Sequence, residues 1–244
     1  MRVVVTRPQP AADRTAAELE RRGHAPVLLP LMTAEHDLEG LSHPLSPSTV
    51  ALVVTSAEAL RALARLPPEI RRDYLSIPLY AVGQATAEAA RRLGFARVIT
   101  GEGDGKALAQ RLLSEVPSDP GALITYLAGD PRTPDLEETL QSAGRPLTIR
   151  QCYRMISIEP DREAIAALAA QPPDVVLLYS SETVRRFLKV AEITRSSVDW
   201  SQARFICLSA KIASLLPEPY GPRATWPEEP REDLLIDLLT SMER

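Results

Sequence analysis

Cysteine is scarce in this chain: Cys152 and Cys207 are the only two in 244 residues. Two cysteines cannot build a disulfide framework, and their spacing is not that of a zinc site, so both read as inert strand residues. The three histidines, His24, His36 and His43, have neither metal-ligand spacing nor an obvious partner, and read as surface or loop positions. Glycine-rich nucleotide signatures are missing as well. The run Gly101-Glu102-Gly103-Asp104-Gly105 lacks the Lys-Ser/Thr ending of a phosphate loop and a following acidic partner, and reads as a loop that caps the next helix. Without a Gly-x-Ser-x-Gly elbow or a histidine-centred triad, nucleophilic hydrolysis is set aside. An excess of positive charge is lacking too. The formal net charge of -4 argues against a nucleic-acid partner, although an acidic whole can still hold a basic cleft. No apolar run of secretory or membrane-spanning length follows the opening strand, so the expected location is the cytosol, with no membrane partner.

What is present is ordinary globular material, 45% hydrophobic and 25% charged, enough for one large domain or two smaller ones. Short apolar runs alternate with amphipathic stretches, the pattern of strands and helices in a mostly parallel α/β sheet. Strands are expected at 2–6, 26–31, 50–55, 79–82, 98–100, 122–127, 148–153, 175–179, 204–208 and 224–226. Helices are expected at 11–22, 58–65, 85–93, 106–114, 134–143, 183–191, 211–216 and 231–242, where apolar residues recur three and four apart. Gly23, Gly94 and Gly144 stand where such helices should end.

The pattern repeats. The segment from Val53 to Leu63 lies over that from Leu177 to Phe187, matching Ser56 with Ser180, Glu58 with Glu182 and Arg61 with Arg185 at an offset of 124. The segments from Ala81 to Ala87 and from Cys207 to Ala213 match at 126, and the N-terminal strand-helix-Gly-strand unit matches that from Ala122 to Tyr153 at 121. A duplicated lobe follows. The two halves could be sequential, or swapped so that the first unit joins the later ones. The long extended segments 28–38 and 148–158 stand where a swapped chain would cross, and favour that arrangement. The expected lobes are 1–34 plus 156–244 and 38–150, with 28–38 and 148–158 as a two-stranded inter-lobe connector.

Strands in this chain run repeatedly into a small polar turn and then a helix start. Thr55-Ser56-Ala57, Gly83-Gln84-Ala85-Thr86, Ser180-Ser181 and Ser209-Ala210-Lys211 are the clearest cases, and Thr6-Arg7-Pro8 resembles them. Free amides at such starts accept carboxylate or phosphate, and in a parallel sheet these turns share the carboxyl edge where ligands bind. The same hydroxyls also serve as plain helix caps, with or without a ligand. A small anionic ligand in a cleft between the lobes is therefore the expected partner. Arg7, Arg132, Arg154 and Lys211 lie at strand ends or turns, where they are placed to meet anions. Tyr153, in the connector, carries a phenol able to donate a proton or hydrogen bond, and serves equally well as an amphipathic strand tyrosine.

Together the opening Val5-Thr6-Arg7-Pro8, the Thr55-Ser56-x-x-Ala59 turn, Val82-Gly83-x-x-Thr86-Ala87, Gly129 with Leu136, Leu140 and Gly144 leading to Tyr153, Ser180-Ser181 with Val184 and Phe187, and Ser209-x-Lys211-Ile212-Ala213 resemble the uroporphyrinogen-III synthase family. The resemblance covers nearly the whole chain and rests on order and spacing. It implies two lobes of one α/β type on a two-stranded linker, the chain crossing over and returning. It also implies a cofactor-free lyase of haem biosynthesis that cyclises hydroxymethylbilane, a polyanionic tetrapyrrole, through a spiro intermediate, with inversion of the last ring and loss of water. By the same resemblance Tyr153 matches a tyrosine proposed to help protonate the leaving hydroxyl, and Ser56 and Thr86 match positions near the bound tetrapyrrole. The candidate site is thus Tyr153 with Arg7, Thr55, Ser56, Gly83, Thr86, Arg132, Ser180, Ser181, Ser209 and Lys211, in a monomer without metal. Two departures bear on it. Glu58 stands where asparagine is common, and Lys211-Ile212 replaces a frequent pair of threonines. A small-anion binding module, or a relative that keeps the fold without turnover, are the rival readings.

Overall fold

The computed structural model describes residues 1–119 and 121–241. In chain order its elements are β1 (Arg2–Val5), α1 (Ala11–Arg21), β2 (Ala25–Leu28), β3 (Met32–His36), α2 (Leu38–Ser42), β4 (Thr49–Val54), α3 (Ala57–Ala64), α4 (Pro68–Leu75), β5 (Leu79–Ala81), α5 (Gln84–Leu93), β6 (Val98–Thr100), α6 (Gly105–Glu115), β7 (Leu123–Asp130), α7 (Asp135–Ser142), β8 (Leu147–Ser157), α8 (Arg162–Ala170), β9 (Val175–Leu178), α9 (Ser181–Thr194), β10 (Arg204–Cys207), α10 (Ala210–Ala213), β11 (Ala224–Thr225) and α11 (Glu232–Ser241). The expected end of the last helix at Met242 lies outside the described residues.

Backbone packing divides the chain into two units, one formed by Met1–Thr33 with the chain from Ile156 onward, the other by Ala34–Met155. The first unit holds a five-stranded sheet in the order β11-β10-β9-β1-β2, parallel throughout. The second holds the order β3-β8-β7-β4-β5-β6, parallel from β8 to β6. Leaving β3 aside, the two orders are the same if β1 and β2 stand for β7 and β8, and β9, β10 and β11 for β4, β5 and β6. Each sheet therefore joins the opening strand-helix-strand of one repeat to the closing strands of the other. Along β3 and β8, Asp37 N–H donates to the Cys152 carbonyl at 2.9 Å and Ile158 N–H to the Leu31 carbonyl at 3.3 Å. One number rises as the other falls, so this pair is antiparallel.

Each central strand is buried on both faces, which is why it reads as a near-continuous apolar run. In the first unit, Val4, Val176, Leu178, Phe205 and Cys207 face α9, where Phe187 meets Trp200 edge-on at 5.1 Å between ring centroids. Val3, Val5, Val175, Leu177 and Ile206 face the other way, onto Leu19 of α1 and Leu235, Ile236 and Leu239 of α11. In the second unit, Leu52, Val54, Leu79, Ala81 and Leu127 pack with Leu60 and Leu63 of α3 and Ala87 and Ala90 of α5. Ala51, Val53, Ile124, Tyr126 and Ala128 pack with Leu108 and Leu112 of α6 and Leu136 and Leu140 of α7. Each fully buried leucine or valine contributes roughly 1.5–3 kcal/mol. Period-two alternation thus puts helices on both faces of each sheet.

Several expectations need correction. The segment 28–38 is not one strand: β2 stops at Leu28, Pro30 has no N–H to give, β3 covers Met32–His36, and Leu38 already begins α2. Helices α2, α4 and α8 were not expected. Helix α4 starts on Pro68 at its first position, and Asp161 caps α8 by accepting from Glu163 N–H at 2.9 Å. Nor is His24 a surface residue, being only 5% exposed. His36 sits in β3 with partners described below, while His43 is exposed as expected. Among the described residues no helix is long and apolar enough to cross a membrane.

Candidate active site

A strand order of 2-1-3-4-5 places a crevice outside the carboxyl ends of the two strands where the order reverses. In the second unit these are β7 and β4. Strand β4 ends in Val54, and the next residues make the expected turn: the Thr55 hydroxyl meets the Tyr126 hydroxyl of β7 at 2.8 Å, and Ser56 caps α3, its Oγ accepting from Glu58 N–H at 3.1 Å. Strand β5 leads likewise through Val82 to Gly83, which opens α5 with extended backbone and no side-chain cap. Gln84 and Ala85, the first two residues of α5, are exposed, and the first-turn amides of a helix have no partner within it. A β-carbon on Gly83 would meet nothing nearer than Gly103 Cα at 4.0 Å. The glycine leaves room over a helix start and relieves no backbone strain. The side chain of Thr86, a residue 8% exposed, makes no hydrogen bond among the described residues.

Tyr153 reaches the same edge from β8. A register shift between Ala128 and Gly129 brings Tyr153 opposite Gly129 of β7. Its ring lies over that glycine, for a β-carbon there would stand 2.7 Å from Tyr153 Cε1 and closer still to Cζ and the hydroxyl oxygen. The ring is 8% exposed and packs in the α3/α5 layer. Burial pushes its phenol above the ordinary value of 10.0; the Ser56 hydroxyl works against this, and Tyr126, Glu58 and Cys152 reinforce it. The phenol is therefore a protonated donor throughout the neutral range.

Glu58, the departure noted in the sequence, is not a loose negative charge. Its carboxylate is 12% exposed, meets His36 Nε2 at 2.7 Å, and accepts from Arg61 Nε at 2.8 Å as well as from Arg61 Nη2. Burial works to raise its pKa, but the bonds from Arg61 and His36 outweigh it and hold the carboxyl below its usual range. The other ring nitrogen of His36, Nδ1, faces Arg65 Nη1 at 3.2 Å. Sequence alone missed this partnership because His36 lies 22 residues from Glu58 and their strand-to-helix contact is tertiary.

In the first unit the corresponding reversal lies between β1 and β9. Arg7 follows β1, but its guanidinium is occupied: Nη1 donates to Glu232 Oε1 at 2.5 Å and to Thr15 Oγ1 at 3.3 Å, and Cζ lies 4.4 Å from the centre of the Tyr179 ring. Burial first, then the charge of Glu232, pushes the Tyr179 phenol up to about 12. Arg7 is thus held inside its own unit and is not left free for an incoming anion. Ser180 caps α9, its Oγ accepting from Thr183 N–H at 3.1 Å, and Ser181 begins that helix half-buried. Ser209 opens α10 without a side-chain cap, and the exposed Lys211 pairs with no carboxylate among the described residues.

Two other expected anion contacts are also already paired. Arg132, after β7, donates through Nε to Glu137, and Arg154 meets Glu35 at 2.6 Å. The cysteines are buried in β8 and β10, and burial pushes both thiols up to about 12, so neither supplies a thiolate near neutrality. Asp104 caps α6 by accepting from Ala107 N–H at 2.7 Å, as the glycine-rich loop suggested. A surface depression of about 400 Å³ beside Trp200 and Tyr220 lies where the chain enters β10, at the amino edge and away from these turns.

Known proteins share this architecture. A family model described as HEM4, uroporphyrinogen-III synthase HemD, matches residues 13–237. The uroporphyrinogen-III synthase of Saccharomyces cerevisiae is 27% identical over 149 residues, 54% of this chain and 54% of the yeast protein. The match therefore spans about half the length of that curated relative. Among solved structures, a uroporphyrinogen-III synthetase from Helicobacter pylori superposes with a TM-score of 0.67 at 17% identity over 99% of this chain and 98% of its own. A mutant uroporphyrinogen III synthase from Thermus thermophilus gives 0.54 at 18% identity, over 100% of this chain and 98% of its own. These two likenesses concern the fold. With the family model spanning nearly every element from α1 to α11, the chain belongs to the uroporphyrinogen-III synthase HemD family.

Proposed function

We propose that this protein closes hydroxymethylbilane to uroporphyrinogen III, inverting the last pyrrole ring and releasing water, as a lyase of tetrapyrrole biosynthesis. The observation that carries the reading is the place of Tyr153: a buried, protonated phenol over Gly129, at the β7/β4 reversal, in a chain of this family. In the proposed reaction the C–O bond of the terminal hydroxymethyl group breaks, electrons from the adjoining pyrrole expel the hydroxyl, and Tyr153 supplies the proton that lets it leave as water. A spiro intermediate at the last ring then opens and recloses with that ring inverted, and the proton lost from the pyrrole carbon on closure restores the phenol. The pyrroles provide the driving electrons, so the protein's task is to donate one proton and to hold the two ends of the chain together.

Each pyrrole ring of the substrate carries two carboxylates, and exposed helix starts suit such a polyanion. We assign the main carboxylate contacts to backbone amides at Ser56, Gly83 and Thr86 in the second unit and at Ser180, Ser181 and Ser209 in the first, with Thr55 bracing its turn through Tyr126. Lys211, unpaired among the described residues, is the side-chain cation best placed to join them. Arg7 and Arg132, paired with Glu232 and Glu137, are left out of these contacts. The chemistry calls for no cofactor, and we read the protein as a cytosolic monomer. Presenting enzymatically generated hydroxymethylbilane, oxidising the product and separating its isomers tests the proposal. Type III product in excess of spontaneous type I supports it, and type I alone from folded protein leaves anion binding without turnover.

A further inference from the structure

Glu58 poses a problem for an anion-binding turn: it puts a carboxylate in the first turn of α3, two residues from Ser56. Arg61 pairs with it from the next turn of the same helix, and His36 closes over it from β3. The donors and acceptors fix how His36 takes part. A guanidinium only donates, so Nδ1, 3.2 Å from Arg65 Nη1, is an acceptor; a carboxylate only accepts, so Nε2, 2.7 Å from Glu58, carries the proton. The order is then Arg65 to His36 to Glu58, with Glu58 N–H in turn donating to Ser56 Oγ.

We propose that Glu58, clamped between His36 and Arg61, is a positioning residue that fixes the Ser56 turn of the candidate site. This rests on the synthase reading and deepens it. The groups that act on the Tyr153 phenol are Ser56 and Glu58 at the start of α3, Tyr126 of β7 and Cys152 of β8. Of these Glu58 alone is charged at neutral pH, so its removal, besides loosening the Ser56 turn, should ease a phenol pKa that burial chiefly raises. His36 and Arg61 act through Glu58: they hold the carboxylate in one place.

The test uses Glu58→Gln, His36→Gln and His36→Ala in the full chain, with two readouts. Nitrogen NMR of the histidine rings, His36 being assigned by its loss in His36→Gln, should find the wild-type ring protonated on Nε2 and a mixture of tautomers in Glu58→Gln. In the isomer assay Glu58→Gln should lose roughly tenfold in kcat with KM little changed, and the alkaline fall of its activity should move to lower pH. His36→Gln keeps an N–H able to reach Glu58 and should recover most of what His36→Ala loses. An Nδ1-protonated His36, or a Glu58→Gln protein with the wild-type pH profile and kcat, would overturn the proposal. Wild-type protein without type III product would instead overturn the synthase reading, while the ring NMR would still decide whether the His36–Glu58 clamp exists.

Discussion

The Tyr153 ring occupies the space that a side chain on Gly129 would need, and a β-carbon there would stand 2.7 Å from Tyr153 Cε1. Residues on neighbouring strands are matched so that one is a glycine because the other is a tyrosine. Gly129→Ala should therefore displace the ring from the β7/β4 reversal. We expect a cost of about 1–3 kcal/mol, as for an overpacked core, measured by denaturant unfolding. Activity should fall further than that cost explains, because the phenol moves with the ring. A Gly129→Ala protein with wild-type activity would mean that the place of the ring does not matter.

Removing the phenol oxygen should leave substantial activity. Because the pyrroles themselves expel the hydroxyl, Tyr153→Phe is expected to lower kcat by about ten- to a hundredfold, at or below the lower edge of what a general acid contributes. The sign of the pH dependence follows from the raised phenol pKa. Raised above 10.0, chiefly by burial, the group stays protonated below that value, so no alkaline loss of kcat due to Tyr153 should appear until pH exceeds about 10. A basic limb centred well below pH 10 that disappears in Tyr153→Phe would contradict this assignment.

Gly83→Val tests the backbone site separately from the fold. Gly83 is extended and a β-carbon fits there, so thermal stability should change by less than about 1 kcal/mol. The isopropyl group would stand in the open space over the start of α5. KM should rise roughly three- to tenfold, the scale of one helix-start interaction with an anion. Unchanged KM and kcat in a folded Gly83→Val protein would remove the α5 amides from the site.

Arg7 and Glu232 make a prediction about stability and pH. Burial would raise the Glu232 pKa, but hydrogen bonds from Arg7 and Thr15 overcome it and lower it below 4.5. A carboxyl depressed on folding contributes stability that is present above pH 4.5 and lost as pH falls through the folded value. Since the Glu232 side chain is 42% exposed, solvent screening limits the effect of Glu232→Gln to about 1 kcal/mol at neutral pH, vanishing in strong acid. A loss that persists undiminished in strong acid would show that the carboxylate's charge is not its source.

Much of this arrangement was legible before the fold was known, for identifiable reasons. Strands buried on both faces advertise themselves as apolar runs, and polar turns before helices recur at a nearly constant offset. The repeats alone left sequential and swapped halves open, but the duplication could be read from Ser56 against Ser180. Partnerships between distant residues could not. Arg7 looked free because its contact with Glu232 joins residues 225 apart. His36 looked like a loop residue because its strand is short and its partners sit on α3. Pro30 hid the break between β2 and β3 inside what resembled one extended segment, and the polar helix α4 carries too few apolar residues to announce itself beside a pair of prolines.

The central claim is that this protein directs ring closure, and the isomer ratio of the product measures it most directly. Hydroxymethylbilane closes spontaneously to the type I isomer, so only a protein that inverts the last ring yields type III. The account predicts type III in clear excess with wild-type protein, formed more slowly and in smaller proportion with Tyr153→Phe and Gly129→Ala. Type I alone from wild-type protein shown to be folded would contradict it.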